Sequence, residues 1–267
     1  MGYAAFIHPP IVFAIILFLH GCLAARYGSG AGLDQIEAIV RQGIDDGEMP
    51  GAVVVVADRH RIIYQQAFGN RQLEPKREPM TIDTVFDLAS LTKPIATATS
   101  VMCLVQSGKL DVDDPVATYL PEFAAGGKAS ITVRDLLLHV GGLVADNSIG
   151  DYQQGAKEAW KRIYELNPKA IRGEKFIYSD VGFITLGKVV ERVSGRTLDQ
   201  FSSDEIFRPL GMAETTFNPD NELRHRTAAT GKRDGDWIKG DVHDPRAYLL
   251  GGVAGHAGLF STAHDLV

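Results

Sequence analysis

Four consecutive valines, in the run GAVVVV at residues 51–56, constrain the fold of this 267-residue chain more than any other feature. β-Branched side chains favour extended strands, and the polar segment DRHR at residues 58–61 leads into a second apolar run at residues 62–68. The two runs therefore predict a β-hairpin. Because no polar residue interrupts the valines, we expect their strand to be covered on both faces.

Apolar residues at helical spacing predict that most of the remaining chain is α-helical. The predicted helices span residues 33–46, 94–105, 133–138, 154–166, 181–193 and 197–207, and the polar stretch 70–81 is expected to be a loop. Thr132 with Asp135 forms a capping box, and Thr262 with Asp265 predicts a further helix start. A hairpin followed by a mainly helical stretch predicts an α/β (α+β) architecture with a helical subdomain.

The composition excludes several classes of protein. Hydrophobic residues make up 45% and charged residues 22% of the chain, which is typical of a globular protein and not of a disordered one. The formal net charge is -6 and no Lys/Arg-rich run is present, so the signature of a nucleic-acid-binding protein is missing. The two cysteines, Cys22 and Cys103, exclude a disulfide framework and a cysteine-based zinc site. No spacing of His, Asp and Glu indicates a catalytic metal, so no metal and no cofactor are expected.

Residues 1–25 contain no Lys, Arg, Asp or Glu and include the apolar run IVFAIILFL at residues 11–19. This run is shorter than the about 20 residues that cross a bilayer, but it has the length of a signal-peptide core. The segment LHGC at residues 19–22 resembles a lipoprotein cleavage box, and cleavage near Ala24 or Ala25 is the alternative. We therefore expect residues 1–25 to be a signal peptide or lipoprotein signal, followed by one globular domain at residues 30–267. The protein would be exported, either periplasmic or associated with the cell envelope, with membrane anchoring through lipid on Cys22 or through an uncleaved signal.

The segment Ser90-Leu91-Thr92-Lys93 is the first candidate for catalysis. A spacing of three places the hydroxyl and the amine on one face of a helix, and Pro94 fits only the first helical turn, so Ser90 should lie near a helix N-terminus. Free N–H groups and the positive end of the helix dipole favour a nucleophile there, and a buried, uncharged Lys93 could accept its proton. The alternative is that Ser90 only caps the helix and that Lys93 is solvated.

Tyr178-Ser179-Asp180, directly before the predicted helix at residues 181–193, is the second candidate. A phenol at the start of a helix could act as a general base or as a proton relay. The alternative is that Ser179 or Asp180 caps the helix and that Tyr178 is a packed aromatic residue.

With their surroundings, these motifs resemble the β-lactamase-related serine hydrolases, a family that includes class C β-lactamases, D-alanyl-D-alanine carboxypeptidases and esterases of the same fold. The resemblance follows the family's order and covers nearly all of the chain after residue 49, in segments 49–69, 84–99, 108–123, 131–143, 176–195, 207–217 and 251–266. It implies a β-lactamase/transpeptidase-like fold, in which an antiparallel sheet is flanked by helices and joined by a helical subdomain.

The resemblance also implies a serine hydrolase that works through a covalent acyl-serine. Ser90 would attack an ester, a β-lactam or a D-Ala peptide-type acyl donor, and Lys93 and Tyr178 would act as the general base. The Ser90 N–H would form part of the oxyanion hole. The partner would be a small-molecule or peptidoglycan-like acyl substrate. The alternative is a non-catalytic ligand-binding homologue, or an inactive fragment that lacks the third active-site motif.

Two departures from the family pattern modify this expectation. The family's second motif usually ends in Asn, but this chain has Asp180 at that position. An ionised Asp cannot donate a hydrogen bond to a substrate carbonyl, and it would keep a nearby Lys93 charged. We expect Asp180, if it faces the site, to bind substrate and to shift the preference towards esters.

The second departure is the absence of a third motif, a Thr/Ser-Gly pair led by Lys or His. His256-Ala257-Gly258 resembles it superficially, but it should precede the family's later strand and lead into a helix start. We therefore expect the final strands to be missing, His256 and His139 to be structural turn or helix-end residues, and the 267-residue chain alone to be poorly soluble and weakly active.

Overall fold

The computed structural model of the protein describes residues 32–267, so the signal predicted at residues 1–25 lies outside the described residues. The strands are β1 to β8 in chain order: Gly51–Ala57, Ile62–Gln72, Glu78–Pro79, Val85–Asp87, Thr216–Phe217, Gly231–Arg233, Asp236–Ile238 and Leu259–Thr262. The α-helices are α1 to α9: Asp34–Asp45, Thr99–Gln106, Val116–Tyr119, Val133–Leu137, Ala156–Glu165, Asp180–Ser194, Leu198–Ser202, Asn221–Arg226 and Pro245–Leu249. None of the helices in residues 32–267 is long and apolar enough to cross a bilayer.

The described residues fall into two compact units. The first comprises residues 32–86, 220–240 and 261–267, and the second comprises residues 87–219 and 241–260. Strands β1, β2 and β3 form one sheet of the first unit in that order, and β6 pairs with β7. The second unit is mainly helical and holds both of the predicted catalytic motifs. This division agrees with the predicted combination of a hairpin and a helical subdomain.

The hairpin predicted from the valine run is confirmed, with two corrections. Strands β1 and β2 pair antiparallel, with Gly51 opposite Gly69 and Val56 opposite Tyr64. However, β2 continues beyond residue 68, and β3 lies within the stretch predicted to be a loop. Each of the four valines also keeps part of its surface exposed, so their strand is not covered on both faces. The run therefore reflects the strand preference of β-branched residues and not complete burial.

Helix α6 is the central buried element of the second unit. Nine of its residues are buried, among them Leu186, Val189 and Val190, which are fully inaccessible to solvent. The side chain of Ser179 caps its N-terminus by accepting a hydrogen bond from Gly182 N, and Gly195 ends it with a φ of 71°. The helix predicted at residues 181–193 is thus confirmed, as is the capping box that Thr132 and Asp135 form on α4.

The helix start predicted at Thr262 is wrong, because this residue is the last of strand β8. All four residues of β8 (LFST) are buried, and its first two pair antiparallel with β5. The capping hydrogen bond itself forms, from Asp265 N to Thr262 Oγ1 at 3.3 Å, but only a turn follows it. A capping signature fixes the local backbone at one turn and does not by itself propagate a helix.

Candidate active site

Ser90 is exposed at the start of a helical segment of the second unit, as the position of Pro94 predicts. It lies in a 3₁₀-helix at Ala89–Leu91, which continues through a π-helical segment at Lys93–Ala98 into α2. The sequence predicted a regular α-helix from residue 94, so the π-helical geometry is a correction. Because the first amides of a helix have no intrahelical acceptor, the Ser90 N–H is available to a ligand's oxygen.

The backbone immediately before Ser90 is strained. Ala89 has a φ of 46°, in the left-handed region that costs a residue with a Cβ about 1–2 kcal/mol. Asp87 holds it there, since its Oδ1 accepts from Ala89 N at 2.8 Å while its Oδ2 accepts from His243 N at 2.7 Å. Burial raises the pKa of Asp87 above its ordinary value, and these two hydrogen bonds oppose the shift.

Lys93 is buried, with 3% of its surface exposed, and its Nζ is the centre of the site. Nζ donates to Ser90 Oγ at 3.0 Å and to the carbonyl oxygen of His256 at 3.3 Å. It also lies 2.6 Å from Asp180 Oδ1 and 4.7 Å from the centre of the Tyr178 ring. Asp180 Oδ1 has no hydrogen-bond partner among residues 32–267, so its contact with Lys93 is an ion pair without hydrogen-bond geometry. The structure thus brings together all four residues that the sequence singled out.

The cap of helix α6 explains how Asp180 reaches this cluster. Ser179, and not Asp180, is the capping residue, and its Oγ also donates to Val144 O at 2.6 Å. Asp180 is the first helical residue, and its carboxylate is therefore free of the capping role and directed at Lys93. Tyr178 is 46% exposed, which is unlike a packed core aromatic.

Residues 255–259 pack against the helical segment that follows Ser90, a contact that the sequence pattern did not predict. Three hydrogen bonds join this segment to the helical segment after Ser90: Lys93 Nζ to His256 O, Thr97 Oγ1 to Gly255 O at 2.7 Å, and Leu259 N to Thr92 Oγ1 at 3.1 Å. The available signal was the density of glycines in GGVAGHAG at residues 251–258, which allows close backbone approach.

Gly255 shows how close that approach is. A Cβ at this position would lie 1.9 Å from the carbonyl oxygen of Phe183 and 2.9 Å from the amide nitrogen of Gly187, both on helix α6. Only a residue without a side chain fits there. The position of the His256 carbonyl beside Lys93 is therefore fixed by main-chain packing.

His256 was expected to lead into a helix start, but it precedes strand β8 and its side chain is buried beside the site. Its Nε2 lies 2.9 Å from Oδ1 of Asp244, the residue that caps α9. Burial alone would raise the pKa of Asp244, but the hydrogen bond and charge of His256, with the amide of Ala247, lower it to about 2. Asp244 is therefore a carboxylate at neutral pH, and His256 Nε2 is the donor.

One group of side chains among the described residues has donor atoms close enough together for a metal ion. Atoms of Asp180, Asp244 and His256 lie within 4.8 Å of one another. Lys93 Nζ already places a positive charge 2.6 Å from Asp180, which balances the carboxylate and would repel a second cation. We therefore interpret Asp180 as the ion-pair partner of Lys93 and not as a metal ligand.

The chain is similar to several known proteins. Over 88% of the chain, it is 34% identical to an Escherichia coli (strain K12) protein described as "Putative D-alanyl-D-alanine carboxypeptidase" and spans 62% of that protein. It is also 35% identical to the "N-acetylmuramyl-L-alanine amidase" of Bacillus subtilis (strain 168), covering 88% of this chain and 61% of the amidase. The chain thus spans less than two thirds of the length of these curated relatives.

Solved structures show the same architecture. A class C beta-lactamase superposes with a TM-score of 0.75 at 20% identity, covering 88% of this chain and 62% of that one. EstCE1, described as a hydrolase with promiscuous acyltransferase activity, superposes with a TM-score of 0.72 at 26% identity, covering 88% of this chain and 70% of that one. The predicted β-lactamase/transpeptidase-like fold is confirmed. The family described as Beta-lactamase matches residues 36–267, and the chain belongs to this family.

Proposed function

We propose that the protein is a serine hydrolase that forms a covalent acyl intermediate on Ser90. The observation that supports this proposal best is the 3.0 Å contact between Ser90 Oγ and the buried Nζ of Lys93. An exposed hydroxyl at a helix start, oriented by a buried cation, is arranged to attack a carbonyl carbon. The Ser90 N–H then donates to the oxygen that becomes negatively charged.

Within this proposal, Lys93 orients Ser90 and Tyr178 moves the proton. Nζ donates to Ser90 Oγ and to the His256 carbonyl, and the Asp180 carboxylate beside it balances its charge. A lysine held in this way donates to the serine oxygen and stabilises its developing negative charge. Tyr178, as its phenolate, then accepts the Ser90 proton at its oxygen and, as the neutral phenol, returns that proton to the leaving group.

The substrate class is an acyl compound with an ester, β-lactam or D-Ala peptide-type carbonyl. The relatives named as a carboxypeptidase and as an amidase support an amide carbonyl, and EstCE1, named as a hydrolase, supports the same general chemistry. Asp180 supports esters, because a carboxylate paired with Lys93 offers no N–H to a substrate amide. The uncharged, apolar segment at residues 1–25 supports export of the protein to the cell envelope, where peptidoglycan-like acyl donors are found.

The covalent intermediate is tested by mass spectrometry of the purified protein. We expect a fluorescent penicillin, or another acylating inhibitor, to add its mass to the peptide that contains Ser90. A label on a different peptide would overturn the assignment of Ser90. If no label forms and p-nitrophenyl butyrate is not hydrolysed, the chain is a ligand-binding homologue and not an enzyme.

Asp180→Asn should change the substrate preference. The amide can donate a hydrogen bond to a substrate carbonyl but cannot pair electrostatically with Lys93, so we expect the ratio of lactam to ester turnover to rise by about tenfold or more. The ratio of kcat/KM for nitrocefin and p-nitrophenyl butyrate measures it. Asp199→Asn, in the first turn of α7, is the matched control. An unchanged ratio in Asp180→Asn would show that this carboxylate does not contribute to specificity.

A further inference from the structure

We propose that His139 is the positioning residue for Tyr178, and that a proton on its Nδ1 releases the tyrosine and switches the site off. The sequence predicted only a structural role for this histidine. The inference rests on the role of Tyr178 in the proposed function. The contacts between His139 and the residues around Tyr178 are observed independently of that role.

His139 holds the main chain on both sides of Tyr178. Its carbonyl oxygen accepts from Ile177 N at 2.9 Å, and its Nδ1 accepts from Ser179 N at 3.0 Å. One residue therefore binds the amides immediately before and after the tyrosine. To do so, His139 adopts a φ of 58°, which is unusual for a residue with a side chain. Such strain persists only where surrounding contacts fix it, and it is concentrated at functional sites.

The imidazole ring also packs directly on the phenol. The His139 and Tyr178 ring centres are 4.5 Å apart, with the planes tilted by 36°. The rings of Phe183 and Phe176 lie 5.1 Å and 5.6 Å from the imidazole and hold it from other directions. Because Tyr178 is partly exposed, these contacts with His139 limit the directions in which its oxygen can point.

The hydrogen bond from Ser179 N fixes the protonation state of the ring. Nδ1 must be unprotonated to accept it, so the neutral ring carries its proton on Nε2. A second proton would place an N–H on Nδ1 directly against the N–H of Ser179. The titratable and charged groups that face the ring in the described part of the chain are Lys93, Asp180 and Tyr178.

The electrostatic surroundings keep this ring neutral. Burial lowers the pKa of His139 below its ordinary value, the Lys93 charge lowers it further, and Asp180 partly opposes the shift. The neutral form therefore persists throughout the neutral range and somewhat below the pKa of an ordinary histidine. The His139 contribution to stability and to Tyr178 positioning is present above that ordinary value, about 6.5, and is lost as the pH falls through the lowered pKa.

Two substitutions separate the hydrogen bond from the titration. His139→Asn retains an acceptor oxygen near the position of Nδ1, tolerates a positive φ and does not titrate, whereas His139→Ala has no acceptor. We expect His139→Ala to lower kcat by about 10–100-fold with little change in KM. His139→Asn should recover most of kcat and lose the acidic limb of the pH profile that depends on this ring. His60→Ala, in the exposed turn after β1, is the control. Equal kcat in the wild type and His139→Ala, or an unaltered acidic limb in His139→Asn, would overturn the proposal.

A measurement that needs no activity distinguishes this inference from the hydrolase proposal. Nitrogen-15 NMR of the imidazole should show an unprotonated Nδ1 that accepts a hydrogen bond, and the Ser179 amide should exchange at least about tenfold more slowly in the wild type than in His139→Ala. Equal Ser179 exchange rates would refute the role of His139 whatever the activity. Slow exchange in a protein that no inhibitor acylates would instead refute the hydrolase proposal and leave the positioning contact in place.

Discussion

Replacing Ser90 with Ala should lower kcat/KM for an activated ester by about 10⁴-fold or more, because the substitution removes the atom that bonds to the acyl group. Ser90 is exposed, and in the variant Lys93 keeps its contacts with Asp180 and the His256 carbonyl. The fold should therefore be unaffected, with a change in the free energy of unfolding within about 0.5 kcal/mol. Steady-state hydrolysis of p-nitrophenyl butyrate and thermal melting measure the two effects.

Ser107→Ala is the matched control for this loss. Ser107 is also an exposed serine of the second unit, directly after α2, where its Oγ donates to Leu104 O. We expect this variant to retain wild-type activity. Hydrolysis that is equal in Ser90→Ala and the wild type would mean that another residue, or an impurity, carries out the reaction.

Gly255→Ala should be strongly destabilising, because the added methyl group has no space. Its Cβ would overlap the Phe183 carbonyl oxygen and crowd the Gly187 amide, and both are backbone atoms that cannot rotate away. Overpacking of this kind costs about 3 kcal/mol, which in a protein of this size lowers Tm by about 6–12 °C. Calorimetry measures Tm, and any remaining folded protein should be acylated more slowly because the His256 carbonyl is displaced from Lys93.

A glycine in open surroundings provides the comparison. At Gly150 an added Cβ would meet only Ser148 Oγ, at an ordinary distance of 3.4 Å, so Gly150→Ala should change the free energy of unfolding by less than about 0.5 kcal/mol. If Gly255→Ala melts at the same temperature as Gly150→Ala, the close crossing of residues 255–259 with α6 does not exist in solution.

Local signals in the sequence were sufficient for the main elements of the fold. The hairpin around the valine run, the capping box at Thr132 and the start of α6 each depend on neighbouring residues, so sequence patterns report them reliably. The strand β8 was missed because its pairing partner lies far away in the chain and a capping signature overlaps its last residue. Long-range pairing of this kind leaves little trace in the local pattern.

In the candidate site too, local features could be predicted from the sequence and long-range contacts could not. Ser90 and Lys93 lie three residues apart, so their contact follows from helical geometry. Tyr178 and Asp180 stood out by their place before a predicted helix, and the resemblance to a known family supported their roles. The sequence could not show that His256 contributes its carbonyl oxygen, because any residue type offers one. Nor could it show that Asp244 would pair with the His256 side chain, since that contact depends on how the glycine-rich segment turns.

The left-handed backbone at Ala89 has a consequence for how the protein can evolve. The backbone at Ala89, immediately before Ser90, is in an unfavourable conformation, and the hydrogen bond from Ala89 N to the carboxylate of Asp87 offsets its cost. Mutations that relax this turn should raise the melting temperature and lower kcat. Selection for stability alone should therefore yield a more stable protein in which the Ser90 hydroxyl is misplaced for attack.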